Sequence, residues 1–227
     1  MIILALFGFL LFVALIFGPQ FWINWTMRAH AVERPDMPGT GGELARHLLD
    51  DAGLHDVKLE MVATGDHYSP DDKAVRLSEL NFRGRSITAV AVAAHEVAHA
   101  VQDRDNYGPF MWRQRLVRKT IIVDRTARIL LLLMPIGFIV TRNSILAGLD
   151  FMLVLGLFAS TILVHLITLP TEFDASFKKA LPVLQKYLPP EEMAGARSVL
   201  KAAAFTYVAG ALVSLLNVAR WLRILRF

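Results

Sequence analysis

The sequence predicts a mainly α-helical membrane protein, with about four transmembrane helices and a small α+β domain at one face. Three observations lead there. The chain of 227 residues is 55% hydrophobic, and its apolar residues gather in four long blocks instead of spreading evenly. A polar, mixed stretch at 28–85 separates the first block from the rest and carries helix-cap and strand-like patterns. Directly after it, residues 86–103 form an Ala-rich, helix-favouring run around His95-Glu96-Val97-Ala98-His99.

In chain order, residues 2–17 are unbroken apolar, and Phe21, Trp22, Ile23 and Trp25 extend them far enough to span, with tryptophans suited to an interface. No basic stretch precedes this block and no small-residue cleavage site follows it, so 1–25 reads as an uncleaved anchor. Residues 26–126 read as the α+β domain. Thr40-Gly41-Gly42-Glu43 resembles a capping box, opening a helix whose Leu44, Leu48, Leu49 and Ala52 share a face and which stops at Gly53. Residues 57–62 and 74–77 look like two strands of a hairpin around the turn Ser69-Pro70-Asp71-Asp72. A strand beside the following helix could hold an extended peptide by edge pairing. Residues 111–128 are basic and amphipathic, as a helix lying at a membrane surface would be. Residues 127–170 read as two spans, a short block at 129–140 that a lead-in from Ile121 could extend and that Pro135 would kink, and a longer one at 145–169 that contains Asp150 and His165. Residues 171–201 connect to the last span at 202–219, within a C-terminal segment 202–227 whose tail carries Arg220, Arg223 and Arg226.

The run at 86–103 carries the chemistry. Residues four apart share one face of a helix, so His95 and His99 can both aim a ring nitrogen at one ion. Two imidazoles suit Zn²⁺ and leave room for a third protein ligand and a water, whose proton Glu96 can take. Ser86 is a good N-cap, and Glu96 is the only charge between Arg85 and Asp103. The same pattern arises by chance on surface helices with charged neighbours. Here the surroundings are apolar, and a metal would offset the cost of burying a Glu between two His.

Four spans would leave 24–126 and 171–200 on one side of the membrane, so the third ligand should lie in one of them. Glu172, 73 residues after His99 at the mouth of a span, is the favoured oxygen ligand, placed at the start of a helix. Asp174 is then in reach as an acceptor that orients a ligating His. As helix-start acids complementing the dipole, both would instead be structural.

These residues also carry a resemblance. Asp66-His67-Tyr68-Ser69-Pro70, the run 84–102, Leu169-Pro170-Thr171-Glu172-Phe173-Asp174-Ala175-Ser176 and Ala204-Phe205-Thr206-Tyr207-Val208-Ala209 resemble the bacterial membrane zinc metallopeptidases of the YugP type, the neutral zinc metallopeptidase family. The resemblance runs from about residue 38 onward. It implies a zinc peptidase with His95, His99 and Glu172 as ligands and Glu96 as catalytic base. More distantly the chain is similar to the CAAX-prenyl and heat-shock membrane peptidases, in which an acid four residues after the third ligand supports a His. That place is Ser176 here, and the acid is Asp174.

The function expected is therefore a membrane-bound zinc endopeptidase, in membrane-protein processing or quality control. Zinc would bring the pKa of water to about 7, Glu96 would act as general base and then return the proton to the leaving amine, and His67 and Tyr68 are candidates to stabilise the oxyanion. Its partners would be protein or peptide substrates, membrane proteins among them, and the lipid bilayer. A net charge of +4 without a basic stripe interleaved with aromatics excludes nucleic acid. The absence of cysteine excludes thiolate chemistry and Cys-ligated zinc. Other readings make different demands. A metzincin would want Gly where Gln102 stands and a ligand at Asp105. A site-2-type intramembrane protease would use Asp150 as ligand. A scaffold would not need Glu96, and a transporter would use Asp150 and His165. Lys/Arg counts place the catalytic face in the cytoplasm, in a multi-pass protein of the inner membrane. The side carrying 24–126 and 171–200, with the flanking Arg128 and Lys201, holds 20 of the 24 basic residues.

Overall fold

The computed structural model describes residues 2–63, 65–142 and 144–224. Its elements are α1 (Ile2–Ala29), α2 (Gly41–Asp51), β1 (Lys58–Val62), β2 (His67–Ser69), β3 (Ala74–Ser78), α3 (Glu79–Arg83), α4 (Ile87–Arg104), α5 (Gly108–Thr141), α6 (Ser144–Phe173), a π-helical turn (Asp174–Ala180), α7 (Leu181–Leu184) and α8 (Met193–Ile224). The fold is mostly helical with one small sheet.

The chain divides into two units, one of residues 1–17, 112–168 and 207–227, the other of residues 18–111 and 169–206. In the second unit, α2 opens on the expected capping box: Glu43 N–H donates to Thr40 Oγ1, and Glu43 Oε2 accepts from the Thr40 N–H at 2.7 Å. Leu48 and Leu49 of α2 then turn into a core shared with Val75 and Leu77 of β3, Val90 and Val97 of α4, and Leu181, Leu184, Val199 and Leu200 further along. At the start of α2, Gly41 and Gly42 let its backbone press against its neighbours. A Cβ on Gly41 would lie 2.2 Å from the Asn81 carbonyl oxygen and 2.8 Å from that of Ala89.

Three expectations need correction. The strands do not form a simple hairpin. β1 pairs with β3 in parallel, Lys58 opposite Ala74, while β2 pairs with β3 antiparallel, giving the order β1-β3-β2. His67 and Tyr68 are therefore strand residues, and the turn at 70–73 joins β2 to β3. Short alternating runs reveal strands but leave their partner open. Next, the basic stretch 111–128 and the apolar block 129–140 run as one continuous helix, α5, which reaches back well beyond a lead-in from Ile121 because nothing between them interrupts helical bonding. Finally, Glu172 does not begin a helix. It sits in the last turn of α6, which runs through Pro170 and continues into the π-helical turn.

Among the described residues one stretch, Leu6–Ala29, is long and apolar enough to cross a bilayer. The later apolar blocks lie within α5, α6 and α8. The side chain of Asp150, and those of Arg220, Arg223 and Arg226, lie outside the described residues.

Candidate metal centre

Helix α4 positions the first pair of side chains. Ser86 caps it by accepting from the Ala89 N–H at 3.1 Å, and the helix is buried from Thr88 to Ala100. His95, Glu96 and His99 are all buried, as the apolar run requires. The third side chain arrives from the end of α6. Glu172 is 1% exposed, and its Oε2 stands 3.2 Å from His95 Nε2 and 3.5 Å from His99 Nε2. One ligand atom from each of the three residues lies within 4.8 Å of the others. Two atoms each roughly 2.0–2.1 Å from one tetrahedral zinc stand about 3.3 Å apart. The spacing and the His, His, Glu donor set fit that ion.

The far side of each imidazole is also held. His95 Nδ1 faces Ser176 Oγ at 3.1 Å, and that hydroxyl donates to the Leu200 carbonyl at 3.1 Å. His99 Nδ1 donates to Gln102 Oε1 at 2.9 Å, and the Gln102 amide donates to the Thr171 carbonyl at 2.9 Å and to Asp174 Oδ2 at 2.8 Å. Lys179 Nζ, five residues along the π-helical turn, lies 3.1 Å from the same Asp174 oxygen. The ring of Phe110, at the start of α5, stacks on His99 with centroids 6.0 Å apart. In both cases the imidazole Nε2 is the nitrogen turned toward Glu172.

Asp174 thus reaches His99 through Gln102 and not directly, while Ser176 is the group in contact with His95. Sequence reasoning considered Gln102 only as a place where a turning glycine was missing. The signal was a lone amide three residues after His99, on the same face of an otherwise apolar helix. The two oxyanion candidates have hydrogen-bond partners outside the His95–His99–Glu172 group. His67 is exposed, with Nδ1 against the Gly65 carbonyl at 3.3 Å. Tyr68 is buried on β2, but its hydroxyl donates to Asp103 Oδ2 at 2.8 Å. Asp66, from the same short motif, accepts from the Ser78 N–H, the Ser78 hydroxyl and the Asn81 amide, fixing the entry to α3.

The model of a family described as "Putative neutral zinc metallopeptidase" matches residues 4–226. The chain belongs to that family. A curated relative from Bacillus subtilis (strain 168), named "Putative membrane protease YugP", is 38% identical over 226 aligned residues, covering 96% of each chain. No solved structure matches. Family membership brings zinc to the description, and the buried His95–His99–Glu172 group could hold it.

Proposed function

We propose that this zinc metallopeptidase family member is a membrane-bound endopeptidase whose centre is His95, His99 and Glu172, with Glu96 as general base. The observation that carries the reading is the convergence of two imidazole Nε2 atoms on one buried carboxylate oxygen, at 3.2 and 3.5 Å. Bound zinc supplies a Lewis acid and brings the pKa of water to about 7. With Nδ1 of each ring held by Gln102 or Ser176, the two histidines would offer Nε2 to the ion, and Glu172 would offer a carboxylate oxygen. Glu96 takes the proton released as water attacks the scissile carbonyl, then delivers it to the departing amine. β2 stands at an edge of the sheet, a position that supports pairing with an extended substrate segment.

Membrane attachment rests first on α1, whose Phe7, Leu10, Leu15 and Phe21 are exposed as an apolar surface. The relative's name as a membrane protease agrees with it. We read the blocks in α5, α6 and α8 as further spans, with the catalytic face in the cytoplasm and membrane proteins among the substrates.

The test is zinc content and casein cleavage of the purified full chain in detergent. Wild type should carry about one zinc per chain, the stoichiometry of a single catalytic site. Glu172→Ala should lose it. Glu96→Gln should keep the metal while cleavage falls by about 10²–10⁴-fold, the range of a lost general base. A zinc-free wild type, or Glu96→Gln cleaving at the wild-type rate, would sink the proposal.

A further inference from the structure

We infer that Gln102 is a positioning residue for the metal: held by the Thr171 carbonyl and the Asp174 carboxylate, its amide can present only oxygen to His99. The inference rests on the zinc reading above and concerns how that site is kept in one protonation pattern. The Thr171 carbonyl and the Asp174 carboxylate are both acceptors, and they lie 2.9 and 2.8 Å from the same amide nitrogen. That end of Gln102 must therefore be the NH₂. The oxygen is left 2.9 Å from His99 Nδ1, so this ring nitrogen carries the proton and Nε2 keeps its lone pair. A flipped amide would set its oxygen against two acceptors and its N–H groups against His99. The imidazole would then adopt the other tautomer, with an N–H pointing where the metal belongs.

Burial makes the arrangement hard to replace. Gln102 is 0% exposed and Asp174 6%, so no solvent shell stands in for a lost partner. Lys179 Nζ, one π-helical turn away, pairs with the same Asp174 oxygen at 3.1 Å and fixes its position. The same amide also ties α4 to the backbone of Thr171, next to Glu172. One side chain thus links the second ligand to the segment that brings the third. Asp174 acts on the metal through it.

The experiment compares zinc dissociation constants, by competition with a chromophoric chelator, for the full chain in detergent. Gln102→Glu places a second carboxylate against Asp174 and removes both amide donors. Affinity should fall about 10–100-fold, the usual cost of a lost outer partner of a ligating His. Adding Asp174→Asn to Gln102→Glu restores a donor–acceptor pair with its polarity reversed, and a carboxylate oxygen still accepts from His99. That double variant should bind zinc more tightly than Gln102→Glu alone, whereas independent structural roles would make it weaker. Gln102→Met keeps the volume without an acceptor and should weaken zinc comparably, and because it also leaves the buried Thr171 carbonyl and Asp174 without their amide donor, the metal-free protein should melt below wild type. The proposal is overturned if Gln102→Met and Gln102→Glu bind zinc as wild type does, or if the double variant is the weaker of the pair. A wild type that binds no zinc overturns the metal reading itself, an outcome distinct from either.

Discussion

Tyr68 stacks its ring at a tilt against Phe110, which in turn stacks on His99, while its hydroxyl donates to Asp103. Burial first, and the Asp103 carboxylate second, push the phenol above its ordinary range, so it remains a neutral donor at physiological pH. A raised folded-state pKa contributes stability below the unfolded value of about 10. That contribution is lost as pH rises past it. Tyr68→Phe should therefore lower stability by about 1.5–3 kcal/mol, the worth of a hydrogen bond to a charged group, and flatten the alkaline decline, as read by thermal unfolding in detergent across pH. Because the hydroxyl is committed to Asp103, kcat/KM on casein should stay near wild type. A loss of about 10²–10³ would instead make it an oxyanion donor. At this scale the pairing of His95 with His99 was legible because residues four apart share one face of a helix. Gln102 was legible only as a lone amide on an apolar helix, since its partner Asp174 lies 72 positions away and local pattern does not name it.

Among the elements, the caps and the helix stop at Gly53 were readable, and the close packing at Gly41 and the strand pairings were not. Thr40 and Ser86 announce α2 and α4 by chemistry that acts within three residues. The parallel partnership of β1 with β3 depends instead on chain folding beyond any local run. Pro170 suggests a helix start, as proline commonly does. Here α6 continues through it, and the turn widens immediately afterward. That widening lets Asp174 and Ser176, two residues apart, both engage side chains of α4, an arrangement that regular helical spacing would not predict. The close approach at Gly41 gives a direct test. Its missing Cβ would fall 2.2 Å from the carbonyl oxygen of Asn81, a backbone atom that no rotamer change can move. Gly41→Ala should destabilise the protein by about 1–3 kcal/mol through overpacking, seen as a lowered melting temperature. Gly53→Asn, at a left-handed position with φ +68° and open space around it, should be tolerated far better.

For the whole molecule, the division of the chain mirrors the hydropathy. Residues 18–111 and 169–206 build one unit, and all three candidate ligands lie in it. The 3.2 Å separation of His95 and Glu172 requires residues 87–104 and 171–176 to share one side of any membrane. That requirement is met by any even number of crossings between residues 104 and 171, none or two, and leaves the number of spans to be measured. The natural chain has no cysteine, which makes single-cysteine labelling unambiguous. Asp56→Cys and Glu191→Cys, both at exposed positions of this unit, and Asn143→Cys, between the second and third apolar blocks, would be treated with a membrane-impermeant maleimide. In spheroplasts, Asn143→Cys should react at once, while the other two should react only after permeabilisation, because the basic residues favour the cytoplasmic side. If Asp56→Cys and Glu191→Cys both react in intact spheroplasts, the orientation is inverted and the centre faces outward. If Asn143→Cys behaves like the other two, the blocks in α5 and α6 do not cross and α1 is left as the main anchor. Opposite behaviour of Asp56→Cys and Glu191→Cys would place two walls of one metal site on different sides of the bilayer, and would break the site assignment itself.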